Sequence, residues 1–347
     1  MMEEHKRILI VGGAGFLGAH LCNQLAEEGH YVVAFDNLHG GNLHNLSSKV
    51  KFVKGDMRDL NSLRMVFSLC EFDIVYLLAA LPHEGLSVFC PAQIFDVNVT
   101  GSINVLTTAI TYKVPRFIFF SSMARYGKGD GESEPPFSEM SVPTPVDPYG
   151  HAKYQFEKLL QMYSSQYDWF KHRILVPHNF YGPLQNMSDP YRNVITIFIN
   201  RLLQNKPLYI YGDGEQKRSF SYVEDSINPM IRMGLDDDEL LDGNIINIGP
   251  SGNEISIKEL AKKITIMMGS SLKPLFVKDR PCEVKSAFCT NDSAKKFLLF
   301  KETVKLNEGL KKTIAWCKSK GPQKFEYWSK FELVNSDIPS TWSARLL

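Results

Sequence analysis

An α/β fold is what this 347-residue sequence predicts: a doubly wound parallel sheet with a smaller mixed α/β lobe attached. Two observations predict it. Through the first half of the chain, short runs of aliphatic and aromatic residues alternate with helix-period segments, the pattern of strand–helix–strand crossovers. The first of those runs ends in Gly12-Gly13-Ala14-Gly15-Phe16-Leu17-Gly18, a glycine-rich turn that opens directly into a helix.

Taken in order, residues 7–11 read as a buried strand and 16–27 as the helix behind the glycine turn. Residues 31–35 form a second apolar strand ending at Asp36, and 51–53 a third ending at Gly55-Asp56. Asp59 is a good N-cap for a helix running to about residue 69. Residues 74–79 read as the fourth strand, 91–111 as one long helix, and 116–120 as the fifth strand, closed by Ser121-Ser122. The Pro- and Gly-containing stretch 127–145 reads as an exposed loop and a candidate lid. A helix over 148–167 and a strand over 173–176 follow. Beyond Pro177 the rhythm loosens: a turn at Tyr181-Gly182-Pro183, a helix over 194–203, a turn at Gly212-Asp213-Gly214, and a short strand between Gly243 and Gly249-Pro250. The reading divides the chain into a sheet domain, 1–176 with a return segment at about 219–249, and a lobe made of 177–218 and 250–347. The tail 321–347, with Trp328 and Trp342, suggests no role by itself.

Composition excludes several classes. Hydrophobic residues make up 44% of the chain, enough for a large core. A net charge of +1 with no basic run argues against a nucleic-acid partner. No apolar run reaches the ~18 residues of a membrane span. The first residues lack the pattern of a signal peptide, so a cytoplasmic location is expected. Six scattered cysteines with no Cys-x-x-Cys pair point to reduced thiols and no metal site.

Right-handed crossovers put every strand's C-terminal end on one edge of the sheet. Gly12, Asp36, Asp56, Ala80, Ser121 and Ser122 all gather there, where such sheets bind ligands. The glycines let the backbone and the helix N-terminus approach a pyrophosphate. Asp36 is placed to bond adenosine ribose hydroxyls and to repel a 2′-phosphate, which points to NAD. Asp56 either approaches the adenine or simply forms a turn.

A tyrosine one helical turn before a lysine can act as a base, and three pairs have that spacing: Tyr149/Lys153, Tyr154/Lys158 and Tyr167/Lys171. Tyr149 alone begins its helix, directly after Pro148, so it and Lys153 share a face beside the strand ends. Moving a phenol from its usual pKa near ~10 to neutrality takes about 4 kcal/mol of preferential stabilisation of the phenolate. The Lys153 ammonium in a partly dry site, helped by a nicotinamide cation, is expected to supply it. Ser122 is placed to bond a sugar hydroxyl or share its proton.

The segments GGAGFLG, FDNL, GDMRD, LLAA, VNVTGSINVL, FFSSMARYG, DPYGHAK, PHNFYGP, IYGDGEQKRSFSYVED, INIG and DRPCEV follow one another in this order. Together they resemble the extended short-chain dehydrogenase/reductases, in particular the NAD-dependent nucleotide-sugar epimerase/dehydratase group, from Gly12 to roughly Trp316. The resemblance implies a Rossmann-like fold, bound NAD, a nucleotide-sugar substrate and a homodimer formed through the helices at 91–111 and 149–167. It implies Ser122, Tyr149 and Lys153 as the catalytic set. Along the cofactor it implies Gly12, Gly15, Phe16, Leu17, Gly18, Asp36, Asn37, Asp56, Met57, Leu78, Ala79, Ala80, Asn98, Ser121, Tyr149, Lys153 and Pro177. Around the substrate it implies Ser122, Ala124, Tyr149, Asn179, Asn193, Tyr211, Arg218, Arg280 and Ala287, with the arginines holding the diphosphate.

Departures sort the reaction. Family members that dehydrate or decarboxylate carry a glutamate, and 3,5-epimerases a cysteine, where this chain has Ala124. Alanine moves no proton, so the resemblance implies hydride chemistry at C4 alone. The expected reaction is C4 epimerisation of a UDP-hexose through a 4-keto intermediate, on UDP-Glc/UDP-Gal or UDP-GlcNAc/UDP-GalNAc. The alternatives are a 4-reductase or dehydratase on the same scaffold, on a GDP-, CDP- or dTDP-sugar, and a non-catalytic nucleotide-binding scaffold. Ala287, seven residues after Arg280, implies room for an N-acetyl group; a slip of one residue puts Phe288 there instead. His83 and Glu84 face the same edge and either touch the sugar or belong to a solvated loop.

Overall fold

The computed structural model describes residues 5–129, 131 and 134–347. Seven parallel strands form its central sheet. They are β1 (Arg7–Val11), β2 (Tyr31–Asp36), β3 (Lys51–Lys54), β4 (Ile74–Leu77), β5 (Arg116–Phe120), β6 (Lys171–Pro177) and the later strand Ile245–Ile248. Across the sheet the order is Ile245–Ile248, β6, β5, β4, β1, β2, β3. The order reverses beside β1, so a crevice opens between the ends of β1 and β4.

Alternate residues of each strand face opposite layers, and both layers are apolar, as in sheets covered on both sides. On one face Leu9, Val33, Val75, Phe117 and Phe119 pack with residues of α2 (Leu60–Phe67), α5 (Ser102–Thr111) and α6 (Pro148–Gln166). On the other, Ile8, Ile10, Ala34, Tyr76 and Ile118 pack with α1 (Phe16–Glu27), α8 (Val223–Leu235) and α10 (Asp292–Leu298). Asp59 caps α2 as expected, its carboxylate accepting from the Asn61 and Ser62 N–H groups.

Four sequence expectations change. The fourth strand stops at Leu77, because the chain turns there and the Leu78 and Ala79 N–H groups bond to Val11 O. The helix over 91–111 contains a wider turn at Asp96–Gly101, between α4 (Pro91–Phe95) and α5. The stretch 127–145, as far as it lies in the described residues, is exposed at Met140 and Val142 as expected but pinned at Phe137. Phe137 is buried, stacks on Tyr126 at 5.2 Å, and exchanges backbone bonds with Phe288 and Thr290. Finally, the chain returns to the sheet twice: once at α8 and Ile245–Ile248, and again at α10, whose Ala294 and Leu298 lie in the sheet's second core.

The lobe has its own core of Ile195, Phe198, Ile210, Leu260 and Leu310, drawn from α7 (Val194–Leu203), the strand Tyr209–Tyr211, α9 (Ile257–Met267) and α11 (Leu306–Lys320). A fourth cluster is built by the tail. Phe325, Ile338, Trp342 and Leu347 pack against Leu81, Leu86, Phe89, Ile94 and Tyr149. Among the described residues, no helix is long and apolar enough to cross a membrane.

Candidate active site

One cavity of about 540 Å³ runs along the strand ends and under the lobe. Its first part is backbone. Gly12 has φ +87°, and a Cβ there would stand 2.5 Å from Ala79 N, so only glycine lets β1 turn this closely past β4. A Cβ at Gly18 would stand 2.1 Å from Gly12 O, so the start of α1 lies directly on the turn. No side chain caps α1, and Gly15, Phe16, Leu17 and Gly18 line the cavity, leaving the helix N-terminus open to an anion. Asp36 closes this end. Its carboxylate accepts from Ala14 N–H at 3.0 Å and Leu38 N–H at 2.7 Å, while burial pushes its pKa up. Asn37, Met57, Leu78, Ala79, Ala80, Ser121 and Pro177 also line the wall. Asp56 does too, but it is clamped by Arg58 and accepts from Asn37, which holds its carboxyl well below the usual range.

The catalytic candidates stand at the centre. Ser122 ends β5, and its Oγ accepts from Ala124 N–H at 3.2 Å. Asp147 caps α6 through Gly150 N–H, which sets Tyr149 and Lys153 in the first two turns of that helix, both buried and both on the cavity wall. Burial pushes the Tyr149 phenol up; the nearby Ser122 hydroxyl and the charge of Arg192 pull it back, and Glu84 and Asp147 oppose them. Lys153 donates to Phe120 O at 2.7 Å and lies 4.8 Å from the Phe119 ring centroid. Burial brings its own pKa down to about 7, against the pull of Glu157. The expected cation beside the phenol is therefore not Lys153 alone. Arg192 lines the same cavity and its charge pulls the phenol's pKa down, and nothing in the sequence pattern singled it out. Behind Lys153, Glu157 bonds Ser121 and pairs with Arg125 at 3.0 Å, a buried network that locks the end of β5 to α6.

At the far end Arg218 and Arg280 both grip Glu283, at 3.0 and 2.5 Å. The Arg280 guanidinium lies 4.7 Å over the Tyr211 ring, whose hydroxyl bonds Thr341. Asn179 and Asn193, both with positive φ, line the wall while donating to Ser219 O and Phe180 O.

Three predicted residues lie off the wall. Asn98 is buried and exchanges two hydrogen bonds with the Leu81 backbone, so it shapes the loop after β4 without facing the cavity. Ala124 packs into the fourth core cluster beside Tyr149. Ala287 belongs to a short strand paired with Lys217–Arg218, and its carbonyl accepts from His178. The size filter expected at Ala287 is therefore not on the cavity surface.

The tail supplies what the sequence left without a role. Trp328 meets His39 at 4.5 Å, His83 at 5.0 Å and Tyr191 at 5.4 Å, edge to face, and Trp342 meets Tyr191 at 5.4 Å. Both indoles and Leu347 line the cavity. His83 is buried and pairs with Asp189 at 2.7 Å, so it is part of the wall and not of a solvated loop.

Comparison with known proteins agrees with this geometry. Residues 8–249 match the model of the NAD dependent epimerase/dehydratase family. The chain belongs to that family. It is 33% identical to a UDP-N-acetyl-alpha-D-glucosaminuronate decarboxylase of Bacillus cytotoxicus, over 90% of this chain and 97% of that protein. It is 32% identical to a UDP-glucose 4-epimerase of Mycolicibacterium smegmatis, over 90% and 99%. The structure of a Thermotoga maritima UDP-glucose 4-epimerase with UDP-glucose superposes with a TM-score of 0.83 at 32% identity, covering 90% of this chain and 99% of that one. The family's enzymes use NAD, and the open α1 N-terminus, the close glycine turn and the Asp36 carboxylate fit that cofactor. Epimerase and decarboxylase relatives are equally near, so the reaction is argued from the site.

Proposed function

We propose that the chain is an NAD-dependent C4 epimerase of a UDP-linked hexose. The observation that carries the reading is the placement of Tyr149, buried on the wall of the cavity that also holds the glycine turn and Ser122. Gly12, Phe16, Leu17 and Gly18 would hold the cofactor's pyrophosphate, Asp36 its adenosine ribose, and Lys153 the ribose next to the reacting ring. NAD bound there would supply a hydride acceptor and donor for C4 of the sugar.

The remaining work falls to the chain's own side chains. Tyr149 takes the C4 hydroxyl proton, with Ser122 bridging, and returns it after the sugar has turned. Arg192 and a protonated Lys153 favour the phenolate, and burial raises the strength of both effects by excluding water. Arg218 and Arg280, now held by Glu283, are poised to exchange that carboxylate for a diphosphate. Anchoring the diphosphate while leaving the hexose loosely held lets the sugar present either face, so binding energy goes to the pivot rather than to one epimer.

A homodimer along the helices at 91–111 and 149–167 is part of the same proposal. Phe156 and Leu160 belong to the chain's own core and Leu159 and Tyr163 pack partly against it, which leaves their outer surface and the exposed Met162 for a partner. The test of the reaction is incubation with a panel of UDP-, GDP-, CDP- and dTDP-hexoses, with and without N-acetyl groups, followed by NMR of the products. The reading expects a C4 epimer pair with no net change in reduced-nicotinamide absorbance. Net NADH formation or consumption, or loss of water from the sugar as the only reaction, contradicts it.

A further inference from the structure

The tail is tied down on both sides of Trp328. Before it, Glu326 N–H donates to Ser188 O at 2.8 Å, in the lobe segment that leads to α7. After it, the Glu332 and Leu333 N–H groups donate to Phe89 O at 2.8 and 3.1 Å. The Glu332 carboxylate also accepts from Ala92 and Gln93 N–H, both at 2.8 Å, at the start of α4. A chain end keeps a fixed course only where it is tied in this way. Between these anchors the Trp328 ring meets His39 at 4.5 Å, His83 at 5.0 Å and Tyr191 at 5.4 Å, and all four residues line the cavity.

Those partners come from three places. His39 lies in the loop after β2, His83 in the loop between β4 and α3 (Glu84–Ser87), and Tyr191 just before α7. Within the sheet, β2 and β4 are the two neighbours of β1. The loops that follow them hold the glycine turn from either side. Asn42 N–H donates to Ala14 O at 2.9 Å on one side, and Ala79 N–H donates to Val11 O at 2.9 Å on the other. A ring that touches both loops therefore spans the crevice at the end of β1, where the glycine turn and the open N-terminus of α1 lie. The His83 side of that span is fixed, since His83 is buried and paired with Asp189.

We propose that Trp328 is a cofactor-binding residue, the outer wall of the dinucleotide site, and that the tail keeps bound NAD in place from one turnover to the next. The inference rests on the family's use of NAD. The glycine turn and α1 form the inner wall; Trp328 closes the outer one by joining the loops on either side. Release of the cofactor then waits for the tail to lift from His39 and His83, as release waits on the opening of a lid. An enclosed cofactor gives its hydride back within the same cycle, because no fresh NADH enters between cycles. The tail thereby suits a reaction with no net oxidation.

The test follows the cofactor and not the reaction. The full-length protein is loaded with radiolabelled NAD and chased with a large excess of unlabelled NAD, and protein-bound label is counted over time after rapid desalting. The wild type is expected to hold its label through desalting. Trp328→Ala should lose it ~10-fold faster or more, since loss of an aromatic anchor falls mainly in the off-rate. Trp328→Phe keeps an aromatic wall and should stay close to the wild type. Glu332 is exposed and off the cavity wall, so Glu332→Ala loosens the tail without touching the cofactor. It should speed exchange by about 3-fold or more, the size of a lost helix cap. Melting temperatures of the NAD-free variants check folding, and Glu332→Ala carries the test if Trp328→Ala does not fold. Exchange at the wild-type rate in either folded alanine variant overturns the proposal and leaves the C4 reading intact, as does a wild type that loses its label during desalting. A wild type that takes up no NAD at all overturns the cofactor assignment instead.

Discussion

The two ends of the cavity are built on different principles. The end nearest Gly12 is made of backbone: close-packed glycines, an uncapped helix start and a carboxylate already satisfied by N–H groups. The end nearest Tyr211 is made of long side chains brought from distant stretches, and on the same cavity wall Glu84 and Arg192 have no hydrogen-bond or ion-pair partner among the described residues. The first end needs a shape and tolerates few substitutions. The second presents charges, Arg192 among them, that are not locked into the fold, so those charges can be changed at little cost to the fold and large cost to recognition.

The comparison can be broken most severely at the tail. Trp342 is 2% exposed and joins the tail to Tyr191, Tyr211 and Phe89. Trp342→Ala is expected to cost about 3–5 kcal/mol in a urea unfolding curve. It should also weaken nucleotide-sugar binding far more than NAD binding, measured by titration calorimetry; equal losses for both ligands would contradict the division. Gly18→Ala attacks the other end. With its Cβ 2.1 Å from Gly12 O, it is expected to cost about 3 kcal/mol and to weaken NAD binding before substrate binding. Arg192→Ala is the sharper probe. Its guanidinium has no hydrogen-bond or ion-pair partner among the described residues, so the melting temperature should hold while the KM for the sugar nucleotide rises by about 10-fold or more. A stability loss with an unchanged KM would place Arg192 in the fold instead.

The smallest expected effect concerns pH. Burial lowers His172 to about 4, with both ring nitrogens unpartnered. Unfolding frees the ring to take up a proton at its ordinary pKa of 6.5. Its contribution to stability is therefore full above pH 6.5 and is withdrawn as pH falls from 6.5 towards 4. His172→Leu should flatten the pH dependence of the urea midpoint in that window, and an unchanged slope would refute the assignment.

The same contrast decides what could be read from the sequence. The sheet, the glycine turn, Asp36, the Asp59 cap and the Ser122–Tyr149–Lys153 set are local: each depends on period, spacing or a turn within one stretch of chain. The second return of the chain at α10, the burial of Phe137 under Tyr126 and the docking of Trp328 and Trp342 depend on contacts across more than a hundred residues, or on a loop's choice of partner. No local pattern encodes those. Arg192 was missed because a lone arginine in a loop looks the same whether it faces solvent or lines a cavity. Ala287 was misplaced because counting from Arg280 assumes a regular path, whereas the chain passes through Cys282 at positive φ and turns the next strand towards Arg218.

The claim that Tyr149 begins the chemistry is tested most directly by Tyr149→Phe, assayed with the sugar nucleotide that turns over and titrated in parallel with NAD. The account predicts that NAD binding is retained and that turnover falls by ~10³-fold, as for removal of a general base. Near-wild-type turnover in that variant would contradict it.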